Sequence, residues 1–456
     1  MYLTNLHIKN LKLLRDFELS FCNPDGTPRM WTVIIGDNGT GKTSILQAIA
    51  MAAAGGLNVN DLVRDNVASL LDKRHSDESM TVEARFLLNK EHASKREYPL
   101  LHPEHDEPNG GLRLPGDLQV WADVKLDPGS SNLVATSKYD SGIPTTGDPI
   151  AEARSRNLPH WFVAGYGISR SLPRDTEQRP TLARPSIDRL QSLFRPVELL
   201  ATTWANVLPE RQARAFSKTL KDALFGDHLL IPKFRDLELR GQGGAKSTRS
   251  LQESHRFEQE LPSGLLKLPA SWLSHGYQST LAWIADLIGY ILYEADCDLK
   301  PSEMEGLVLI DEIDLYLHPA WQRTLVASLK RTFPRLQFVA TTHSPLALVG
   351  LRPDQDEIVR LTIDEQTGNI KQVDLKQGRE HEPDARLMTG SEIYRTYFGI
   401  DKVYPGEAGE LLREHRYLAA DPDRTEGDET KLSEIEAKLR REGIEPDFPR
   451  VPRSRG

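Results

Sequence analysis

The chain has 456 residues, 39% apolar and 27% charged, with a formal net charge of −9. That length suits two or three soluble domains, or one domain with large insertions; the acidic balance excludes a global basic footprint for nucleic acid and leaves room only for a local basic groove. Two cysteines, Cys22 and Cys297, exclude a disulfide framework or a cysteine-based zinc site and point to a reducing, cytoplasmic setting, and neither a signal peptide nor a membrane span is expected, because no apolar run approaches about eighteen residues.

The first 35 residues read as a β-hairpin. Phe17, Leu19 and Phe21 alternate with polar residues, Asn23-Pro24-Asp25-Gly26 signals a turn, and the next strand starts near Met30. That strand carries the apolar run Val33-Ile34-Ile35 into Gly36-Asp37-Asn38-Gly39-Thr40-Gly41-Lys42-Thr43, then Ser44 and a helical pattern at Ile45, Leu46 and Ile49. The stretch fits G-x-x-x-x-G-K-[ST] in its strand-loop-helix setting. Glycines let backbone N–H groups close around phosphate oxygens, and the helix start adds a positive dipole end. Lys42 reaches the β- and γ-phosphates in such loops, and Thr43 holds Mg²⁺. A nucleotide with Mg²⁺ is therefore the expected ligand of Gly36 to Ser44.

Gly55-Gly56 reads as the stop of that helix. Alternating runs at Val82, Ala84, Phe86, Leu88 and at Val120, Ala122, Val124, Leu126 read as strands, with a loop from His102 to Gly116 between them and another over roughly 127–150. An apolar strand, Trp161-Phe162-Val163-Ala164, leads into Gly165-Tyr166-Gly167. From about 185 to 225 the pattern is helical, and the polar, Gly-rich stretch Gly241 to His255 reads as mobile.

The core returns at about 257. A helix is expected near 277–293, a strand at 306–310, a helix at 319–333, a strand at 336–341, and a hairpin at 356–374 turning around Gln366-Thr367-Gly368-Asn369. Short helices close the chain, one marked by Leu432, Ile435 and Leu439, and the Pro449–Gly456 tail is expected to be disordered. The expected division is 1–180, an N-terminal lobe with the phosphate loop and a β-subdomain; 181–256, a helical insertion and mobile loop; 257–375, a C-terminal lobe; and 376–456, a helical tail.

The strand Gly306-Leu-Val-Leu-Ile310 ends in Asp311-Glu312-Ile313-Asp314. At such a strand tip Asp311 can hold Mg²⁺ through water, and Glu312 can orient or deprotonate an attacking water, a task that needs hydrogen-bond reach. His343 follows the next apolar strand, where an imidazole can donate to a γ-phosphate. Leu273-Ser274-His275-Gly276-Tyr277-Gln278 opens a helix whose apolar stripe is Leu281, Ile284, Ile288 and Ile291. A serine hydroxyl and glycine N–H at a helix start make an anion-binding corner, and an N-cap serine would look the same.

Together these motifs resemble the ATP-binding-cassette ATPase superfamily, and within it the small soluble heads related to RecF, SMC proteins and the overcoming-lysogenization-defect nucleases. The resemblance rests on the phosphate loop, Leu273–Gln278, Asp311-Glu312, the turn to His318-Pro319 and His343, with Ile8 to Asp16 similar to the group's first strand. It implies an α/β P-loop fold of the ABC head type, with a mixed central sheet, an N-terminal antiparallel β-subdomain and a helical insertion. It implies slow ATP hydrolysis with Lys42, Glu312 and His343 as catalytic residues and Thr43 and Asp311 on the metal. It implies ATP held between two heads, so that Ser274 and Gly276 act in trans on a second copy and Asp314 lies at the seam. The usual signature is Leu-Ser-Gly-Gly-Gln; His275 and Tyr277 depart from it. Arg15 and Arg170 are candidate cations near the site, and Gln119 is the candidate for the glutamine that watches the magnesium.

The tail from Thr389 to Ile400 and the charged helices after it resemble prokaryotic standalone ATPases that pair with a nuclease in anti-phage operons, of which the Septu and PARIS ATPases are the nearest types. That likeness implies a switch or sensor subunit with a separate nuclease chain. The competing expectation is a RecF-like repair ATPase that binds DNA directly.

Overall fold

The computed structural model describes residues 1–56, 58–88, 99–100, 118–140, 147–170, 172, 182, 184–226, 230–238, 256–295, 299–376, 383–400, 407–446 and 448–452. The loop expected at His102–Gly116, the stretch Gly241–His255 and the last residues of the tail lie outside them. The described residues form two compact units, Met1–Arg386 and Leu387–Gly456. No helix among them is long and apolar enough to cross a membrane.

In the larger unit the chain begins with strands β1 (Tyr2–Leu11), β2 (Leu14–Ser20) and β3 (Trp31–Gly36), and continues with β4 (Met80–Leu88), β5 (Leu118–Leu126), β6 (Val134–Tyr139) and β7 (Val163–Tyr166). Then come β8 (Phe234–Glu238), β9 (Arg256–Leu261), β10 (Gly264–Pro269), β11 (Gly306–Ile310), β12 (Leu336–Thr341), β13 (Asp356–Ile363) and β14 (Ile370–Val373). The central sheet has the order β14-β13-β3-β12-β11-β7; all neighbours are parallel except the β13–β14 hairpin at the edge. Every residue of β3, β11 and β12 is buried, which is why these strands read as near-continuous apolar runs, interrupted by Thr32 in β3 and by Gln337 and the terminal Thr341 in β12. A second sheet, β2-β1-β4-β5-β6, is antiparallel, and its strands alternate buried and exposed residues as a sheet with one wet face does.

The helix Lys42–Ala54 touches strands of both sheets, and 11 of its 13 residues are buried. A helix so enclosed needs apolar or small residues all round, which Ile45-Leu46 and the Ala48 to Ala54 run supply. The main core joins Leu6 and Ile8 of the antiparallel sheet through Ile45 and Ile49 to Ile34, Leu309 and Val339 of the central sheet. The phosphate loop is thereby anchored on its strand side and its helix side.

Several expectations are corrected. The N-terminal hairpin is β1–β2, closed at Lys12-Leu13, since Leu11 pairs with Leu14. The turn at Asn23–Gly26 forms, with Gly26 N–H donating to Asn23 O at 2.9 Å, but it carries the chain from one sheet to the other. The loop expected over 127–150 contains β6, and Pro159–Trp161 is a short 3₁₀ turn, so the strand expected from Trp161 starts at Val163. Helices do fill much of 185–225, chiefly Glu210–Phe225, yet the chain beyond them adds the antiparallel sheet β10-β9-β8 that the sequence did not signal.

In the smaller unit the helices Glu407–Ala420 and Glu426–Arg441 pack through Leu411, Leu418, Leu432, Ile435 and Leu439. Thr425 and Asp428 form a reciprocal cap at the start of the second helix.

Candidate functional site

The phosphate loop is shaped by its backbone. Gly41, the residue before the helix, has φ +78°, a left-handed value that a side chain disfavours. The Lys42 ammonium donates to the carbonyls of Gly36 at 2.7 Å and Asp37 at 2.9 Å. Burial pushes the Lys42 pKa down, opposed by the charges of Asp311, Glu312 and Asp37. Thr40 Oγ1 donates to Asp37 O at 2.7 Å and closes the loop on itself.

Parallel pairing puts the C-terminal ends of β3, β12 and β11 side by side, the edge of an α/β sheet where ligands bind. Thr43 Oγ1 donates to Asp311 Oδ2 at 2.8 Å, and Thr341 Oγ1 donates to Asp311 Oδ1 at 2.6 Å. The same Thr341 oxygen accepts the Glu312 N–H at 2.7 Å. Glu312 has φ +46°, a strained value for a residue with a side chain. A cleft of about 360 Å³ is lined by Asn38, Gly39, Gly41, Lys42, Thr43 and Ser44 of the loop, by Asp311, Glu312 and His343 of the strand tips, and by Lys12, Leu13, Leu14 and Ile370. Residues separated by 300 positions thus share one small volume.

The donor set fits a hard cation: a hydroxyl and a carboxylate, both oxygens, already meet at Thr43 and Asp311. The loop N–H groups, Lys42 and the start of a 13-residue helix fit a phosphate chain.

Other expected residues do not line the cleft. Ser274 is exposed at the start of the helix His275–Ala295, and neither it nor Gly276 lines the cleft. A Cβ on Gly276 would meet Tyr316 O at 2.5 Å, so this glycine lets the helix start abut the turn after Glu312. Tyr277, which departs from the usual signature, donates to Pro232 O at 3.0 Å and packs on Phe234 and Trp321. The departure serves the β8–β10 sheet. Asp314 accepts from Thr342 Oγ1, beside His343. Arg15 pairs with Glu78 at 2.6 Å and Gln119 lies opposite Leu87 in the antiparallel sheet; neither lines the cleft. Arg170 is buried and donates to Glu312 O at 2.5 Å; burial pushes its pKa down to about 10, against the charges of Asp311, Asp314 and Glu312.

Lys12 was missed. Its ammonium donates to Ser44 Oγ at 3.2 Å and Gln47 Oε1 at 3.3 Å, and burial lowers its pKa. The signal was its place at the tip of the first hairpin, which the sequence put at Asn23–Gly26 instead.

Residues 1–107 match the family model described as an AAA ATPase domain, and residues 148–349 match the AAA domain described as putative AbiEii toxin, Type IV TA system. The chain is 26% identical over 441 residues to Septu protein PtuA of Bacillus mycoides (strain KBAB4), an alignment covering 96% of this chain and 50% of that protein. It is 41% identical over 87 residues to the retron Vc95 probable ATPase of Vibrio cholerae serotype O1 biovar El Tor, covering 19% of this chain and 17% of that one. The chain spans about half the length of the first of these relatives. Among solved structures it is similar to an SMC head bound to the C-winged helix domain of ScpA, with TM-score 0.46 and 16% identity over 83% of this chain and 99% of that one, a likeness too loose to bear on mechanism. The chain is similar to AAA ATPase domains over residues 1–107 and 148–349, and similar in sequence to Septu protein PtuA and to a retron ATPase.

Proposed function

We propose that this chain binds and hydrolyses ATP as the switch or sensor subunit of an anti-phage defence complex whose effector is a separate nuclease chain. The observation that carries the ATPase reading is the meeting of Thr43, Asp311, Glu312 and His343 around the phosphate loop in one cleft. The defence reading is supported by similarity to Septu protein PtuA over 96% of the chain.

In this reading the loop N–H groups and Lys42 bind the phosphates. Thr43 and Asp311 hold Mg²⁺, which when bound neutralises charge on the phosphate oxygens. Thr341 orients both acids, through its hydroxyl to Asp311 and through the Glu312 N–H. Glu312 takes the proton of the attacking water, and His343 donates to the γ-phosphate. Ser274 and Gly276, outside the cleft of their own chain, serve the ATP of a second copy. Turnover is slow, because ATP here governs assembly.

The test is Glu312→Gln. ATP binding is expected to persist, hydrolysis to fall by about 10²-fold or more, and an ATP-dependent dimer or higher assembly to accumulate in size-exclusion chromatography. Hydrolysis at the parent rate would remove Glu312 as the base. Affinity purification with the neighbouring genes present tests the nuclease chain, and recovery of the ATPase alone counts against it.

A further inference from the structure

We propose that Arg170 is a positioning residue for ATP hydrolysis: it clamps the peptide of Glu312 and supplies countercharge to the strand-tip acids, so that it governs turnover and not nucleotide binding. The inference rests on the ATPase reading above.

The placement follows from the sheet. β7 pairs in parallel with β11, and Asp311 N–H donates to Tyr166 O at 2.8 Å, so the residues after β7 leave the sheet beside the acidic strand tip. Gly167 N–H is held by Ser192 Oγ at 2.8 Å, and three residues later Arg170 is 4% exposed. Its Nη2 donates to Glu312 O at 2.5 Å, a carbonyl that also accepts from Leu315 N–H at 3.0 Å. On the other side the Glu312 N–H is held by Thr341 at 2.7 Å. The Glu312 peptide is therefore fixed at both ends in a left-handed conformation it would otherwise leave. Persistence of such a conformation requires surroundings that over-determine it.

The rest of the guanidinium gives the second half of the argument. Arg170 Nε and Nη1 are buried without hydrogen-bond partners. Of the other buried arginines, Arg189 is paired with Glu294 and Arg424 with Glu429, and Arg154 donates to the carbonyls of Ala53 and Trp161, away from the strand-tip acids; Arg170 makes no ion pair among the described residues but stands against Glu312. The carboxylates acting on it are Asp311, Asp314 and Glu312 together. Clustered carboxylates repel one another in a low-dielectric site, and a delocalised cation that is always charged offsets that repulsion. Lys42 serves these acids from within the cleft and is itself committed to the loop. Arg170 does not line the cleft, so its action on the reaction passes through Glu312.

The experiment compares the parent with Arg170→Ala and Arg170→Lys, reading kcat, KM and the affinity for a fluorescent ATP analogue, with melting curves as a check of folding. Arg170→Ala is expected to lose about 10²-fold in kcat, as a displaced catalytic group does, while the analogue binds within about threefold of the parent. Millimolar guanidinium is expected to restore part of that rate, and ammonium is not. Arg170→Lys keeps a charge without the planar fork and is expected to stay slow, which decides the matter if the alanine variant melts early. A parent-like kcat in either variant overturns the proposal, as does parallel loss of nucleotide affinity. An inactive parent protein sinks the ATPase reading itself; an active parent with an equally active Arg170→Ala sinks only the role of Arg170.

Discussion

The cleft at Gly36–Ser44 and the helix start at Ser274–Gly276 belong to one proposed site, yet they are built differently. In the cleft each group is held by another from a distant part of the chain: Thr43 by Asp311, Asp311 by Thr341, Glu312 by Thr341 and Arg170. At Ser274 the side chain is exposed, and the support comes from behind, where Gly276 abuts Tyr316. The acidic turn links the two regions. Asp314 is tied to Thr342, and Gln322 ties Asp314 O and Leu317 O to Ser344. A site whose first half is complete in one chain and whose second half faces outward is suited to a switch, because its completion depends on what docks there.

The largest effect that tests this contrast is Lys42→Ala. Losing the ammonium and its bonds to Gly36 and Asp37 is expected to weaken ATP binding by more than about 10²-fold in equilibrium titration. Binding within a few-fold of the parent would mean the cleft is not the phosphate site. The outward-facing half is addressed by mixing. Lys42→Ala and Ser274→Arg proteins, each inactive alone, are expected to recover part of the ATPase rate when combined, since a mixed dimer has one intact composite site. No recovery at any ratio would place the action of Ser274 within its own chain or nowhere.

The central sheet and the cleft were legible because their signals are local. β3, β11 and β12 are near-continuous apolar runs, and loop, acids and histidine follow at their ends. Where structure depends on partners across the fold, the sequence was silent. β10 exposes most of its residues and β9 buries only Phe257, so neither shows an alternation to read. In β6 Val134 is exposed and Ser137 is buried, the reverse of the expected pattern. The first hairpin turns at Lys12-Leu13 without glycine, asparagine or proline, with Lys12 itself at φ +51°. That one misplaced turn concealed a cation of the cleft. Arg170 was among the candidate cations, but its partner was not legible: it stands 142 residues from Glu312, and the pairing of β7 with β11 brings it there.

The smallest effects separate the two faces of the Ser274 region. Gly276→Ala places a methyl where Tyr316 O stands 2.5 Å away, and backbone on both sides resists the shift. The expected cost is about 1–3 kcal/mol of stability, read as a lower unfolding midpoint in denaturant. Binding of ATP to the chain's own cleft is expected to stay within a few-fold, because Gly276 does not line it. Ser274→Ala alters an exposed side chain and is expected to change stability by no more than about 0.5 kcal/mol. Its ATPase rate is nonetheless expected to fall if the hydroxyl serves a second copy. A Gly276→Ala protein as stable as the parent would show that the helix start is not held by the acidic turn, and the route linking the two halves of the site would have to run elsewhere.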